Sequence, residues 1–342
     1  MIKVNARILN RPTTGVQRYL QSIMAARSHS VNVEKISPAG YFNGHLWEQL
    51  ISFELNKGDV LWSPSNTGPL YCANPHILTM HDFATLDHPE WTSRKFSTFY
   101  RFLLPRLATR CDGIIAISEY TKSRILYHSN IPPEKVTVIK NGVAPSFFKP
   151  ATTGGGAALR DKYGIPHGRF VLSVSSIEPR KNLGRLLNAW KSICDLIDDD
   201  IHLVLVGRAN PRIFSDAGLS DIPPRVIFTG FVDDHDLPNI YQHAYLFAYV
   251  SLYEGFGLPP LEAMAAGVAV LTSNSTSIPE VVADKAITVD PYSVADIADG
   301  LLLLLKNDSL RLRFAQAGFE HAQLFSWRNT ASQTFDYIGS FA

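Results

Sequence analysis

Short apolar, strand-like runs alternate with helix-like runs along almost the whole of this 342-residue chain. That alternation leaves few architectures open. Parallel strands need long crossover connections, and helices are what normally supply them. In the first half the strand-like runs fall at 31–36, 60–63, 76–80, 113–117 and 136–139, behind a first strand near the N-terminus. A second series follows at 170–175, 202–206, 226–229, 245–250, 268–271 and 286–289, with helices expected at 183–197 and 310–324. Between the two series, residues 150–158 read Pro-Ala-Thr-Thr-Gly-Gly-Gly-Ala-Ala, the composition of a linker. The expected fold class is α/β, with domains over 1–155 and 156–325. A last helix over 326–342, capped near Ser326, ends the chain.

Composition narrows the functional classes. Apolar residues make up 46% and charged residues 18%, so sizeable cores can form. With 32 Lys+Arg against 31 Asp+Glu, the net charge of +1 argues against a nucleic-acid binder that works by bulk charge. Cys72, Cys111 and Cys194 are odd in number and widely spaced. They suggest neither a disulfide framework nor a zinc site, and the expected location is the cytoplasm. The N-terminus lacks the long apolar run of a signal peptide, and the longest apolar run, 301–305, is too short to span a bilayer.

The chemistry concentrates in Glu254-Gly255-Phe256-Gly257-Leu258-Pro259-Pro260-Leu261-Glu262. Two carboxylates lie eight positions apart across a Gly- and Pro-rich turn, between an apolar strand and a helix that reads Leu261 to Gly267. Pro260 suits the first helical position and Gly267 the residue just past the end. Both carboxylates then sit at the carboxyl edge of a strand, where open α/β sheets bind ligands. There they can accept hydrogen bonds from the hydroxyls of a sugar or a ribose. Taken singly, Glu262 is explained by the helix macrodipole and Glu254 by solvation.

A second constellation is Glu178-Pro179-Arg180-Lys181-Asn182-Leu183, where a strand ends and a helix begins near Asn182. Two cations at a helix N-terminus oppose the macrodipole unless an anion binds there. A nucleotide diphosphate is such an anion. Thr14-Gly15 opens an earlier helix, and a glycine there lets backbone amides approach a phosphate. His81-Asp82 follows the strand at 76–80, while Gly207-Arg208 and Gly230-Phe231 end later strands. The Asp-x-Asp spacings at 198–200 and 233–236 read as a solvated turn and a helix cap, so no metal site is expected.

The Glu-x(7)-Glu stretch and the Glu-Pro-Arg-Lys-Asn loop together resemble retaining glycosyltransferases of the GT-B fold, in particular glycosyltransferase family 4. The resemblance covers nearly the whole chain. It implies two Rossmann-like domains facing a cleft, with the C-terminal helix crossing back to the N-terminal domain. It further implies that Glu254 contacts the transferred sugar and Glu262 the ribose. Arg180 and Lys181 hold the donor pyrophosphate and stabilise the leaving group. His81 lies near donor sugar and acceptor, Phe231 near the base, Gly15 opposite Arg180, and Arg208 at the nucleotide. Gly255, Phe256, Gly257 and Leu258 complete the donor site. One departure is Thr14-Gly15, where the family usually has Gly-Gly or Ser-Gly.

The implied reaction is metal-independent transfer from a nucleotide sugar, with no other cofactor, by front-face attack of an acceptor hydroxyl. The Ile-Glu-Pro-Arg-Lys-Asn-Leu form resembles bacterial mannosyltransferases that use GDP-mannose, with UDP- and dTDP-sugars as rivals. The acceptor would be a saccharide or lipid-linked saccharide of surface polysaccharide assembly. A nucleotide-sugar epimerase and a catalytically silent nucleotide-sugar-binding protein are the alternative readings. A dehydrogenase fits poorly, because only Gly15 of a Gly-x-Gly-x-x-Gly fingerprint is present. Residues 91–106 mix basic and aromatic side chains, which suits peripheral contact with the inner membrane surface. A core-packed helix with a basic outer side explains them equally well.

Overall fold

The computed structural model describes residues 1–10, 15–38, 44–150, 155–176, 178–207 and 222–342. It divides into two compact units, Met1–Gly142 with Phe325–Ala342, and Val143–Leu324.

Unit 1 is a six-stranded parallel sheet of β1 (Ile2–Asn5), β2 (Val33–Ile36), β3 (Val60–Ser63), β4 (His76–Met80), β5 (Gly113–Ala116) and β6 (Val136–Val138), in the order β2-β1-β3-β4-β5-β6. The inner strands β1, β3, β4 and β5 are buried at every residue, as expected for a sheet covered by helices on both faces. The helix Trp327–Gly339 belongs to this unit. Ser326 caps it by accepting from the Asn329 amide at 3.2 Å. Trp327 meets the Tyr19 ring edge-on and Phe335 meets Trp62, while the Thr330 hydroxyl donates to the Lys140 carbonyl at 2.8 Å.

Unit 2 is a second six-stranded parallel sheet of β7 (Phe170–Val174), β8 (His202–Val206), β9 (Val226–Gly230), β10 (Leu246–Tyr249), β11 (Val270–Ser273) and β12 (Ile287–Val289). Its order is β9-β8-β7-β10-β11-β12. The chain starts at the middle of the sheet, builds outward to β9, then returns to build the other half from β10. The loops leaving the carboxyl ends of β7 and β10 therefore turn to opposite faces and leave a crevice, the usual ligand position in such sheets. One face is covered by the helices Leu183–Ile193 and Val294–Lys306, whose Leu187, Trp190, Ile297 and Leu301 pack into the core.

Three local expectations need correction. Helix 183–197 stops at Ile193 and passes into a 3-10 turn, Cys194–Leu196, where the Cys194 thiol leans on the Pro224 carbonyl. Helix 310–324 begins earlier, at Asp308, because the Asn307 side chain accepts from the Leu310 amide at 3.0 Å. Part of the expected linker is helical, since Gly155–Tyr163 forms a helix; residues 151–154 lie outside the described set.

Gly142 marks a close approach within unit 1. A Cβ there would stand 2.1 Å from the Trp327 backbone nitrogen, with no flexible side chain to give way. Gly142→Ala is expected to lower unfolding stability by about 1–3 kcal/mol, the usual cost of overpacking, in urea melts. A neighbouring Val143→Ala control should not displace the Trp327 fluorescence in the folded baseline, whereas Gly142→Ala should.

Candidate active site

The crevice of unit 2 is built from the loops after β7 and β10. After β7 the chain makes a 3-10 turn, Pro179–Lys181, and reaches the helix Leu183–Ile193 through Asn182. Asn182 adopts a left-handed conformation, φ 58°, which asparagine tolerates better than most residues. Its side-chain amide donates to the Val250 and Pro291 carbonyls at 2.9 and 2.7 Å, tying this turn to the loops after β10 and β12. The Leu252 amide donates back to the Arg180 carbonyl at 2.7 Å.

Glu254 is the centre of what these ties hold. It is buried, and its Oε1 accepts from Lys181 Nζ at 2.7 Å, Tyr249 OH at 2.8 Å and Ser251 Oγ at 2.7 Å. Arg180 approaches the other oxygen, Oε2, at 3.5 Å, and its Nε donates to Glu178 at 2.6 Å. Burial alone would raise the Glu254 carboxyl, but the Lys181 and Arg180 cations override it and hold it at about 2. The Tyr249 hydroxyl is pushed well above its usual range by burial and then by the Glu254 charge, so it stays a donor. Lys181 also donates to Tyr249 OH at 2.7 Å, which uses two of its three N–H bonds. At neutral pH the group is thus a carboxylate that can only accept, with two cations beside it.

The Gly-Pro turn differs from its sequence reading. The helix runs Leu258–Ala265, so Pro259 and Pro260 occupy its second and third positions rather than Pro260 the first. Prolines are harmless there because the amides of the first turn have no acceptor inside the helix. Gly257, φ +108°, swings the chain into the helix, and a Cβ on it would meet the Ile278 side chain at 2.5 Å. The other end fits its reading. Gly267 has φ +72°, and the Gly267 and Val268 amides donate to the Met264 and Ala263 carbonyls, each at 3.0 Å, a Schellman close. Glu262 is the fifth helical residue and accepts from Tyr241 OH at 3.1 Å. Phe256 is buried beneath the turn, while Phe231, just beyond β9, is 72% exposed. Arg208 lies outside the described residues.

His81 and Gly15 are in unit 1. His81 is buried at the carboxyl end of β4, with Nε2 2.8 Å from the Pro64 carbonyl and its ring edge-on to Tyr19. Burial lowers its imidazole, favouring the neutral ring. Asp82 turns its side chain to the Ala84 amide at 3.3 Å. Gly15 is the exposed first residue of the helix Gly15–Ala26, with open space where a Cβ would stand. The Asp233–Asp236 stretch does not cap its helix as expected. Asp233 and Asp236 instead bind Lys162 Nζ at 2.9 and 2.7 Å, a stronger partner than a backbone amide. Asp198 and Asp200 are likewise drawn to Arg169, at 2.6 and 2.7 Å.

Sequence reasoning missed Tyr249, Ser251 and Tyr241, whose hydroxyls orient the two glutamates. The signal for Tyr249 and Ser251 was faint, polar atoms at or beside the carboxyl end of an apolar strand, and Tyr241, in the helix Leu237–Gln242, gave none. It also missed a buried polar group in unit 1, where the strand order reverses between β1 and β3. There Glu48, fully buried, accepts from Asn5 at 3.0 Å and Thr67 at 2.9 Å and pairs with His45 at 3.0 Å. Arg7 Nε lies 3.1 Å from Glu48 without the angle of a hydrogen bond.

Two family models match the chain, Glycosyltransferase Family 4 over residues 37–147 and Glycosyl transferases group 1 over residues 157–321. O-antigen chain mannosyltransferase B of Escherichia coli is 31% identical over 266 residues, 76% of this chain and 69% of that protein. The serotype-specific mannosyltransferase WbdA of Escherichia coli is 34% identical over 339 residues, 94% of this chain, which spans only 39% of WbdA. Among solved structures, WaaG, a glycosyltransferase involved in lipopolysaccharide biosynthesis, superposes with a TM-score of 0.74 at 18% identity, covering 99% of each chain. That likeness extends the GT-B fold to both units.

The Glu254 charge links folding to pH. Its carboxyl lies at about 2 when folded against 4.5 in its ordinary state. The stability it contributes is therefore complete above pH 4.5 and is lost as pH falls through about 2. In Glu254→Gln this part of the acid sensitivity should vanish. Urea-unfolding free energies measured between neutral pH and the acid limit should fall less steeply for the variant than for the parent; parallel slopes would contradict the assignment.

Proposed function

Because the chain belongs to the glycosyltransferases of family 4 and group 1, we propose that it transfers mannose from GDP-mannose, with retention and without a metal ion, to a saccharide or lipid-linked saccharide acceptor in surface polysaccharide assembly. The observation that carries this reading is the buried Lys181–Glu254 pair, with Arg180 beside it, at the strand-order reversal of unit 2. An anionic ligand entering there meets cations already oriented by Glu178, Glu254 and Tyr249. Such preorganised charge favours a developing diphosphate more than a diffuse ground state.

In this reading Arg180, the remaining N–H of Lys181 and the amides of the Gly255–Gly257 turn hold the pyrophosphate. Glu254 Oε2 and Glu262 accept from hydroxyls of the sugar and the ribose, and Phe231 offers a ring face to the base. The bond from the anomeric carbon to the leaving phosphate breaks while the acceptor oxygen forms its bond on the same face. The acceptor proton passes to the departing phosphate oxygen. Glu254, ionised and held by three donors at Oε1, serves as a hydrogen-bond acceptor rather than an acid. In this reading the acceptor binds unit 1 near His81, Gly15 is kept for a donor phosphate, and a peripheral contact with the inner membrane surface would bring a lipid-linked acceptor within reach. The curated mannosyltransferase relatives favour mannose over the rival donors.

Calorimetric titration with GDP, UDP, dTDP and their sugars, with chelator present, tests the proposal. GDP-mannose should bind, and Arg180→Ala or Glu262→Ala should weaken it about tenfold to a hundredfold, the loss of one hydrogen bond to a charged group of about 1.5–3 kcal/mol. Binding that needs a divalent ion, or none to any nucleotide sugar, would overturn it.

A further inference from the structure

The helix Arg94–Arg110 of unit 1 carries five cations, Arg94, Lys95, Arg101, Arg106 and Arg110, and no acidic residue. Its inner face, Ser97, Leu103, Leu104, Leu107 and Ala108, is buried, so the fold consumes only that side. The outer face is not a plain solvated surface. Lys95, Phe99, Phe102 and Arg106 follow one another at helical spacing along it, and Phe99 and Phe102 are 42% and 52% exposed. The Arg106 guanidinium lies 3.6 Å above the Phe102 ring, so cation and aromatic form one surface.

The patch extends beyond this helix. The His45 ring stands 5.1 Å from that of Phe99 and joins it to the helix His45–Leu50 and the following 3-10 turn Ile51–Glu54. There Leu46, Leu50 and Phe53, at positions i, i+4 and i+7, are all exposed, Phe53 at 84%. Aromatic and aliphatic groups left in water beside a helix that carries cations and no acidic residue match an anionic bilayer surface on both counts. The apolar groups enter the headgroup boundary and the cations meet lipid phosphates. A solvated face would instead mix both signs of charge.

We propose that this face docks unit 1 on an anionic lipid bilayer, through Phe99, Phe102 and Phe53 with Lys95, Arg101 and Arg106 around them. The proposal deepens the membrane contact included in the functional reading above. Vesicle binding is measured without donor or turnover, so its failure and that of the transferase reading are separable.

The test is flotation of the full chain with phosphatidylcholine vesicles, with and without phosphatidylglycerol. Binding should require the anionic lipid and weaken as salt is raised. Lys95→Glu with Arg106→Glu should reduce it at least about twentyfold, from about fivefold per cation near the surface. Phe99→Ser with Phe102→Ser should reduce it at any salt. Unchanged thermal unfolding is the control for both; if charge reversal lowers it, Lys95→Gln with Arg106→Gln is read instead, at about fivefold per cation. No binding to anionic vesicles, or equal binding by the variants, overturns the proposal. So does a dimer in light scattering that the phenylalanine variants convert to monomer, since the face would then belong to a second copy.

Discussion

The ion pair of Lys181 with Glu254 is the constraint around which unit 2 is arranged at its ligand-binding edge. Two opposite charges, each no more than 9% exposed, are stable together and costly apart. Keeping them together requires that the loops after β7 and β10, far apart in sequence, meet at hydrogen-bond distance. The Asn182 and Leu252 amides are the cross-ties that hold them there, and the Ser251 hydroxyl that donates to Glu254 lies 2.9 Å from the Arg180 carbonyl. The strand order supplies the space, because the reversal between β7 and β10 sends the two following helices to opposite faces. The pair also settles the apparent conflict of two cations at a helix start. Glu254 and Glu178 supply the opposing charge from within the protein, so two carboxylates balance the two cations, while Arg180 stays partly exposed at the site.

Much of this was legible in the sequence, for reasons that differ from residue to residue. Parallel strands buried on both faces leave continuous apolar runs, so β3, β4 and β8 were placed at their observed bounds. Ser326 as a cap and Gly267 as a helix close were legible because each depends on local backbone chemistry. The prolines misled by two residues, since proline is tolerated throughout the first turn and does not itself mark the first residue. The roles of Tyr249, Ser251 and Tyr241 were not legible. Tyr249 and Ser251 meet a glutamate that the turn after β10 brings back onto them, Tyr241 meets Glu262 from another helix, and a tyrosine in an apolar run reads the same whether its hydroxyl meets water or a buried carboxylate. Glu48 was hidden for the same reason, as its donors Asn5 and Thr67 come from two different strand ends.

The two units handle buried charge alike. In each, a carboxylate at the reversal of strand order is sheltered from water and supplied with several donors, Glu254 by Lys181, Tyr249 and Ser251, Glu48 by Asn5, Thr67 and His45. For Glu48 as for Glu254, burial would raise the carboxyl, and its partners hold it below the ordinary value instead. Full satisfaction of this kind rigidifies a polar edge without requiring an apolar lid.

The helix Trp327–Gly339 has a consequence for how the molecule is made. In connectivity, unit 2 is an insertion: the chain leaves unit 1 at Gly142 and returns at Phe325. The surface of Tyr19 and Trp62 that this helix covers is therefore synthesised early and clothed last. On the ribosome the first sheet must wait, with that apolar face uncovered, while the whole of unit 2 is translated and given time to fold. Order of synthesis and order of completion are inverted between these two units, so the one begun earlier is completed after the other.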